Sequence, residues 1–276
     1  MNLLLDPLSY EFMRNAIAIG ILIGILCPII GTYLIVQRMT LMGDVIAHCV
    51  LPGMSVALFL GFNLLVGAFV SGILGSLAIA GIRAQSRVKV DAAMAMAFSS
   101  FFALGVTLIT VLENQLDLDS FLFGDILGVT QDDIVRTFGI ALLILLAIKL
   151  FYKELLFYTF DRTGARAIGL PVNTIHIGFV AAITLTIIAS MQAVGVILVI
   201  ALIVGPALTA YLLVKELHHM MLLGALFGVS VSITGIYLSF YYNLPSGPAI
   251  VLVSSSLFIC VLLLNLCPFF LRQGNN

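Results

Sequence analysis

Long apolar runs separated by short polar punctuation make up almost the whole chain. They lie near 14–36, 45–62, 64–82, 92–112, 134–152, 174–191, 194–214, 220–241 and 249–270. A bilayer crossing takes about 20 helical residues, and most of these runs reach or approach that length. The pattern predicts an all-α polytopic membrane protein with nine transmembrane helices. Eight is the alternative count, because 45–62 is short and carries Pro52-Gly53. Only Met191-Gln192-Ala193 parts the sixth and seventh runs, which predicts a tight helical hairpin at those residues. No linker, soluble stretch or internal repeat breaks the series, so 1–276 reads as one membrane domain.

The basic residues orient it. If nine spans alternate and the C-terminus is cytoplasmic, one face receives Arg38, Arg83, Arg87, Lys89, Lys149, Lys153, Arg162, Arg166, Lys215 and Arg272. The other receives Arg14 and Arg136, with the acidic stretch Glu113, Asp117, Asp119, Asp125, Asp132 and Asp133. An excess of Lys and Arg marks the cytoplasmic side. The N-terminus is then expected outside, and 113–133 as an external loop. An eight-span arrangement breaks this alternation.

Composition agrees: 62% of residues are hydrophobic and only 9% are charged, against about a quarter in soluble domains. The net charge of −1 suggests no nucleic-acid partner. Cys27, Cys49, Cys260 and Cys267 form no C-x-x-C pair and read as small apolar packing residues. The first 13 residues lack a basic n-region, and the run after them is too long for a signal-peptide core. No cleaved leader is therefore expected.

Charge inside a span is costly, so an ionisable group there is a candidate functional residue. The second run opens Gly43-Asp44-Val45-Ile46-Ala47-His48, with Leu51-Pro52-Gly53 following. Asp44 and His48, four apart, share one helix face. A carboxylate with an imidazole suits Mn, Fe or Zn. Pro52 has no N–H, so the His48 carbonyl is expected to lose its helical partner, and broken helix at membrane depth marks transporter binding sites. The plainer alternatives are an Asp44 N-cap and a buried, hydrogen-bonded His48.

Asp91, after Arg87-Val88-Lys89, reads as an N-cap, and Gly205-Pro206 predicts a kink. His176, His218 and His219 sit at span ends and show no ligand spacing. The segment 153–172 is the one sizeable cytoplasmic connection. Asp161 is placed to cap a short helix there, Gly169 to end it and Pro171 to prevent its continuation. Arg162 and Arg166 would be exposed, either against anionic lipid or towards a cytoplasmic partner. No G-x-x-x-x-G-K-[ST], H-E-x-x-H or G-x-S-x-G motif occurs, so the chain carries no P-loop and nothing points to an enzyme.

Several blocks in order carry a family resemblance. They are Val36-Gln37-Arg38-Met39, Leu41 to His48, Leu51-Pro52-Gly53, Asp91-Ala92-Ala93-Met94, Phe121 to Gly128 and Tyr152-Lys153-Glu154-Leu155-Leu156. Phe160-Asp161 with Gly169-Leu170-Pro171-Val172, Gln192 to Val196, Tyr237-Leu238-Ser239 and Leu244-Pro245-Ser246-Gly247 complete them. The chain resembles permease subunits of the manganese/zinc/iron ABC importers, related to the vitamin B12 and siderophore permeases, and looks most like the cyanobacterial-type manganese permeases. That resemblance implies a type II importer-like permease fold in a bacterial plasma membrane. It implies that Asp44 and His48 contact a transported Mn2+ or Zn2+, with Fe2+ possible and no permanently bound cofactor. It implies that Asp161, Arg162, Arg166, Gly169, Leu170 and Pro171 belong to a coupling helix. The implied partners are a second permease, two cytoplasmic ATP-binding subunits and an extracytoplasmic metal-binding protein. The sequence departs where Arg162 stands in place of a common Pro and where Gly205-Pro206 replaces Ala-Pro.

Two readings from other classes compete. A proton-coupled metal carrier working without an ATPase calls for further mid-span carboxylates, and none is clearly placed. A scaffold without substrate requires the Asp44/His48 pair to be structural only.

Overall fold

The apolar runs fold as helices, and the polar punctuation as their caps and breaks. The computed structural model describes residues 6–112, 122 and 124–273. In chain order the helices are α1 (Glu11–Val36), α2 (Met42–Cys49), α3 (Leu51–Leu60), α4 (Leu64–Gln85), α5 (Val90–Val111) and α6 (Gln131–Leu150). There follow α7 (Tyr152–Phe160), α8 (Arg162–Ala167), α9 (Val172–Val194), α10 (Val196–Leu213), α11 (Leu217–Tyr242) and α12 (Ser246–Gln273). Among the described residues every regular element is helical. Eight spans qualify by length and apolarity, with α2 and α3 together forming one of them. A ninth is reached if α6 and α7, bent by 73° at Phe151, count as one broken crossing. The eight include Met42–Leu60, so the short 45–62 run is not the one in question; nine is reached only with the bent α6/α7 pair.

Two groups of helices share a core. Helices α1, α10, α11 and α12 pack together, α2 to α5 form a second cluster, and α9 touches both. In lipid, helices gain no hydrophobic drive to associate and instead approach closely over small residues. A Cβ on Gly24 of α1 would meet the Gly228 backbone of α11, and one on Gly53 of α3 would meet the Gly67 carbonyl of α4.

Three local expectations need correction. The α9–α10 hairpin turns at Gly195, not at 191–193; its φ of +81° suits glycine, and the helix runs on to Val194. Asp91 lies in the first turn of α5 but accepts no cap bond, Lys89 being the cap residue; its charge instead complements the helix dipole. The fifth run ends as a helix at Leu150, not 152, and the chain bends by 73° at Phe151 into α7. Of the acidic stretch, Glu113, Asp117 and Asp119 lie outside the described residues. Asp133 forms a reciprocal capping box with Thr130 at the start of α6, and Asp125 caps a short 3-10 turn.

Candidate metal site

Asp44 and His48 come together as their spacing predicts. His48 Nδ1 is 3.4 Å from Asp44 Oδ1 and 2.9 Å from the Asp44 carbonyl oxygen. With the proton on Nδ1, the ring donates to that carbonyl and turns the Nε2 lone pair outward. Metal-ligating histidines are commonly fixed in this way. Asp44 stands in the first turn of α2 without making a cap bond, so the N-cap alternative is not what the structure holds.

The His48 ring meets Phe98 and Phe102 of α5 edge-on, at centroid separations of 4.7 and 5.5 Å, and those two rings are parallel to within 1°. They stand eight and twelve residues into α5, about 12 and 18 Å along it at about 1.5 Å per residue. His48 therefore packs against the middle turns of α5. Its side chain is 13% exposed, whereas that of Asp44 is 39% exposed on the surface of a single copy. The pair is enclosed on the α5 side and open on the other. Neither phenylalanine was marked by the sequence, since nothing in periodicity joins positions 50 residues apart.

The broken turn behind the pair is satisfied in a specific way. Helix α2 ends at Cys49, and Pro52 enters α3 in its first turn. The Val50 N–H bonds the Ile46 carbonyl at 3.2 Å, and Pro52, four ahead of His48, has no N–H to offer the His48 carbonyl. The buried Ser71 hydroxyl of α4 donates to the Cys49 carbonyl at 2.6 Å.

Within 153–172 the short helix forms as its residues suggest. The Asp161 carboxylate accepts from the Thr163 and Gly164 amides at 3.0 and 2.8 Å, capping α8. Gly169, at φ +83°, ends it, and the Leu170 N–H returns to the Ala165 carbonyl. Pro171 then precedes α9. Arg166 is exposed as expected, but Arg162 is not free. It donates to Gln37 Oε1 at 2.7 Å and lies 4.5 Å over the Tyr158 ring, so α8 is tied to the end of α1. This bond also puts the 152–171 segment at the end of the bundle where α1 finishes and α2 begins.

The remaining histidines are engaged. His176 Nδ1 and the Tyr158 hydroxyl are 2.6 Å apart. His218 and His219, expected to lack ligand spacing, converge on Glu216; the signal was present as Glu-x-His-His across the α10–α11 joint. Cys27 and Cys49 are buried packing residues, and Cys260 is an exposed free thiol.

Comparison with known proteins returns a consistent set. The profile of the ABC 3 transport family matches residues 9–265. The manganese transport system membrane protein MntC of Halalkalibacterium halodurans is 44% identical over 91% of this chain and 86% of its own. The chelated iron transport system membrane protein YfeD of Yersinia pestis is 39% identical over 96% and 89%. Among solved structures, PsaBC from Streptococcus pneumoniae in complex with Fab superposes with a TM-score of 0.85. It shares 38% identity over 94% of each chain.

Proposed function

The chain belongs to the ABC 3 transport family, and on that premise we propose that it is the membrane permease of an ATP-driven importer for a divalent transition metal. Manganese is the foremost cargo, with zinc or iron as alternatives. The observation that carries this is the Asp44/His48 pair: an acid and an imidazole 3.4 Å apart in a broken span, packed against the middle turns of α5. Relatives named for manganese and iron transport support the cargo class.

In this reading Asp44 supplies the anionic oxygen and His48 the Nε2 lone pair, while Phe98 and Phe102 hold the imidazole from one side. The pair supplies two ligands, fewer than a transition ion takes. The open side at Asp44 is where a second copy of the chain would close the passage. Asp161, Arg162, Arg166, Gly169, Leu170 and Pro171 form the element that docks on a cytoplasmic ATP-binding subunit. Two such subunits and an extracytoplasmic metal-binding protein complete the assembly in the plasma membrane, with the N-terminus outside and the C-terminus inside.

The test is uptake of labelled Mn2+ by the reconstituted complex. Asp44→Asn and His48→Ala should each abolish ATP-dependent uptake while the complex still assembles. Normal uptake by both variants refutes the site. Uptake by this chain alone, driven by a pH gradient without ATP, would establish the proton-coupled alternative.

A further inference from the structure

At the joint between α10 and α11, Glu216 precedes His218 and His219, and the three side chains meet. His218 Nε2 and His219 Nδ1 each lie 3.2 Å from the same oxygen, Glu216 Oε2. One ligand atom from each residue can be chosen so that all lie within 4.8 Å of one another. Neighbouring helical residues point about 100° apart, yet here the two rings are 4.1 Å apart, centroid to centroid. Both rings are thus turned towards one carboxylate oxygen instead of diverging around the helix. Ligands about 2.1 Å from one ion stand about 3.0–3.4 Å from each other in octahedral or tetrahedral geometry. The two 3.2 Å separations fall in that range.

The geometry points to a cation site, formed by Glu216, His218 and His219 and separate from the Asp44/His48 pair, that takes a divalent transition metal. Two imidazoles and one carboxylate follow the usual affinity order, in which copper and zinc lead and manganese comes last. The site is therefore loaded by zinc before manganese. All three side chains are more than half exposed, which leaves open positions for water and lets the ion exchange readily. Helices α9 and α10 form a hairpin at Gly195, so this joint lies at the same end of the bundle as the 152–171 segment. An ion held here would tie the first turn of α11 to its own N-cap residue, Glu216.

The proposal stands independently of the transport reading, and its test begins from the Asp44→Asn/His48→Ala variant of the full chain in lipid nanodiscs. Titration with Zn2+ by calorimetry, and with Co2+ by its visible absorption, should show a site retained in that variant. His218→Gln/His219→Gln added to it should weaken Zn2+ binding at least tenfold, and Mn2+ should compete at least tenfold less well than Zn2+. Glu216→Gln, which keeps both rings, provides a second substitution and should weaken binding several-fold. Equal Zn2+ affinity with and without the two histidines, or tighter binding of Mn2+ than Zn2+, overturns the proposal.

Discussion

The hydroxyl of Ser71 gives the most direct handle on the broken second span. In a continuous helix the Cys49 carbonyl would accept from the residue four ahead; the break at Val50 moves that duty to Ser71 on α4. Ser71→Ala leaves a buried acceptor without this donor. A stranded buried acceptor costs about 1–3 kcal/mol in soluble proteins. Interhelical hydrogen bonds in membranes average about 0.6 and reach about 1.7 kcal/mol, because the unfolded chain in lipid also finds partners. The 2.6 Å bond between two buried groups belongs in the upper half of the membrane range, so Ser71→Ala should destabilise by about 1 kcal/mol. Ser76→Ala is the control. Its hydroxyl bonds the Ile73 carbonyl of its own helix, a contact that survives when helices separate. Detergent-titrated unfolding in mixed micelles, or steric trapping in bicelles, reads the difference. Equal stability of the two variants would show that the Ser71 bond does not support the break.

Two further outcomes follow from geometry described above. Gly53→Leu drives a side chain into the Gly67 carbonyl and should cost about 1–3 kcal/mol or more by overpacking. Gly81→Ala, with open space around it in the same α4, should be neutral or stabilising by up to about 1 kcal/mol; thermal unfolding in detergent checks both. Asp161→Ala removes the cap of α8, at about 1 kcal/mol, and should lower ATP-dependent uptake while Asp161→Asn preserves most of it. Uptake unchanged in Asp161→Ala would separate that helix from energy coupling.

Much of this was legible in the chain because membrane helices must satisfy their own backbone, which ties length and apolarity directly to spans. The Asp44/His48 contact, the cap at Asp161 and the stop at Gly169 were equally readable, being local. What escaped was long-range: Phe98 and Phe102 against His48, Ser71 behind Cys49, and Arg162 on Gln37, 125 residues away. Turn chemistry accounts for the shift from 191–193 to Gly195. Apolarity fades at Gln192, but the helix ends only where a residue tolerates positive φ. The Glu216, His218 and His219 convergence escaped for a different reason. Adjacent helix residues are expected to diverge, and the carboxylate that draws the rings together sits just outside the helix.

The bond between Arg162 and Gln37 has a mechanical consequence. Helix α8 is only six residues long and would otherwise swing on Phe160 and Gly169 like a loose latch. Clamped to the foot of α1 and braced on Tyr158, it moves as part of a beam that runs the thickness of the membrane. A push delivered to that latch from the aqueous side is thus borne first by α1, and through the Gly24–Gly228 crossing by α11, rather than being absorbed in the joint.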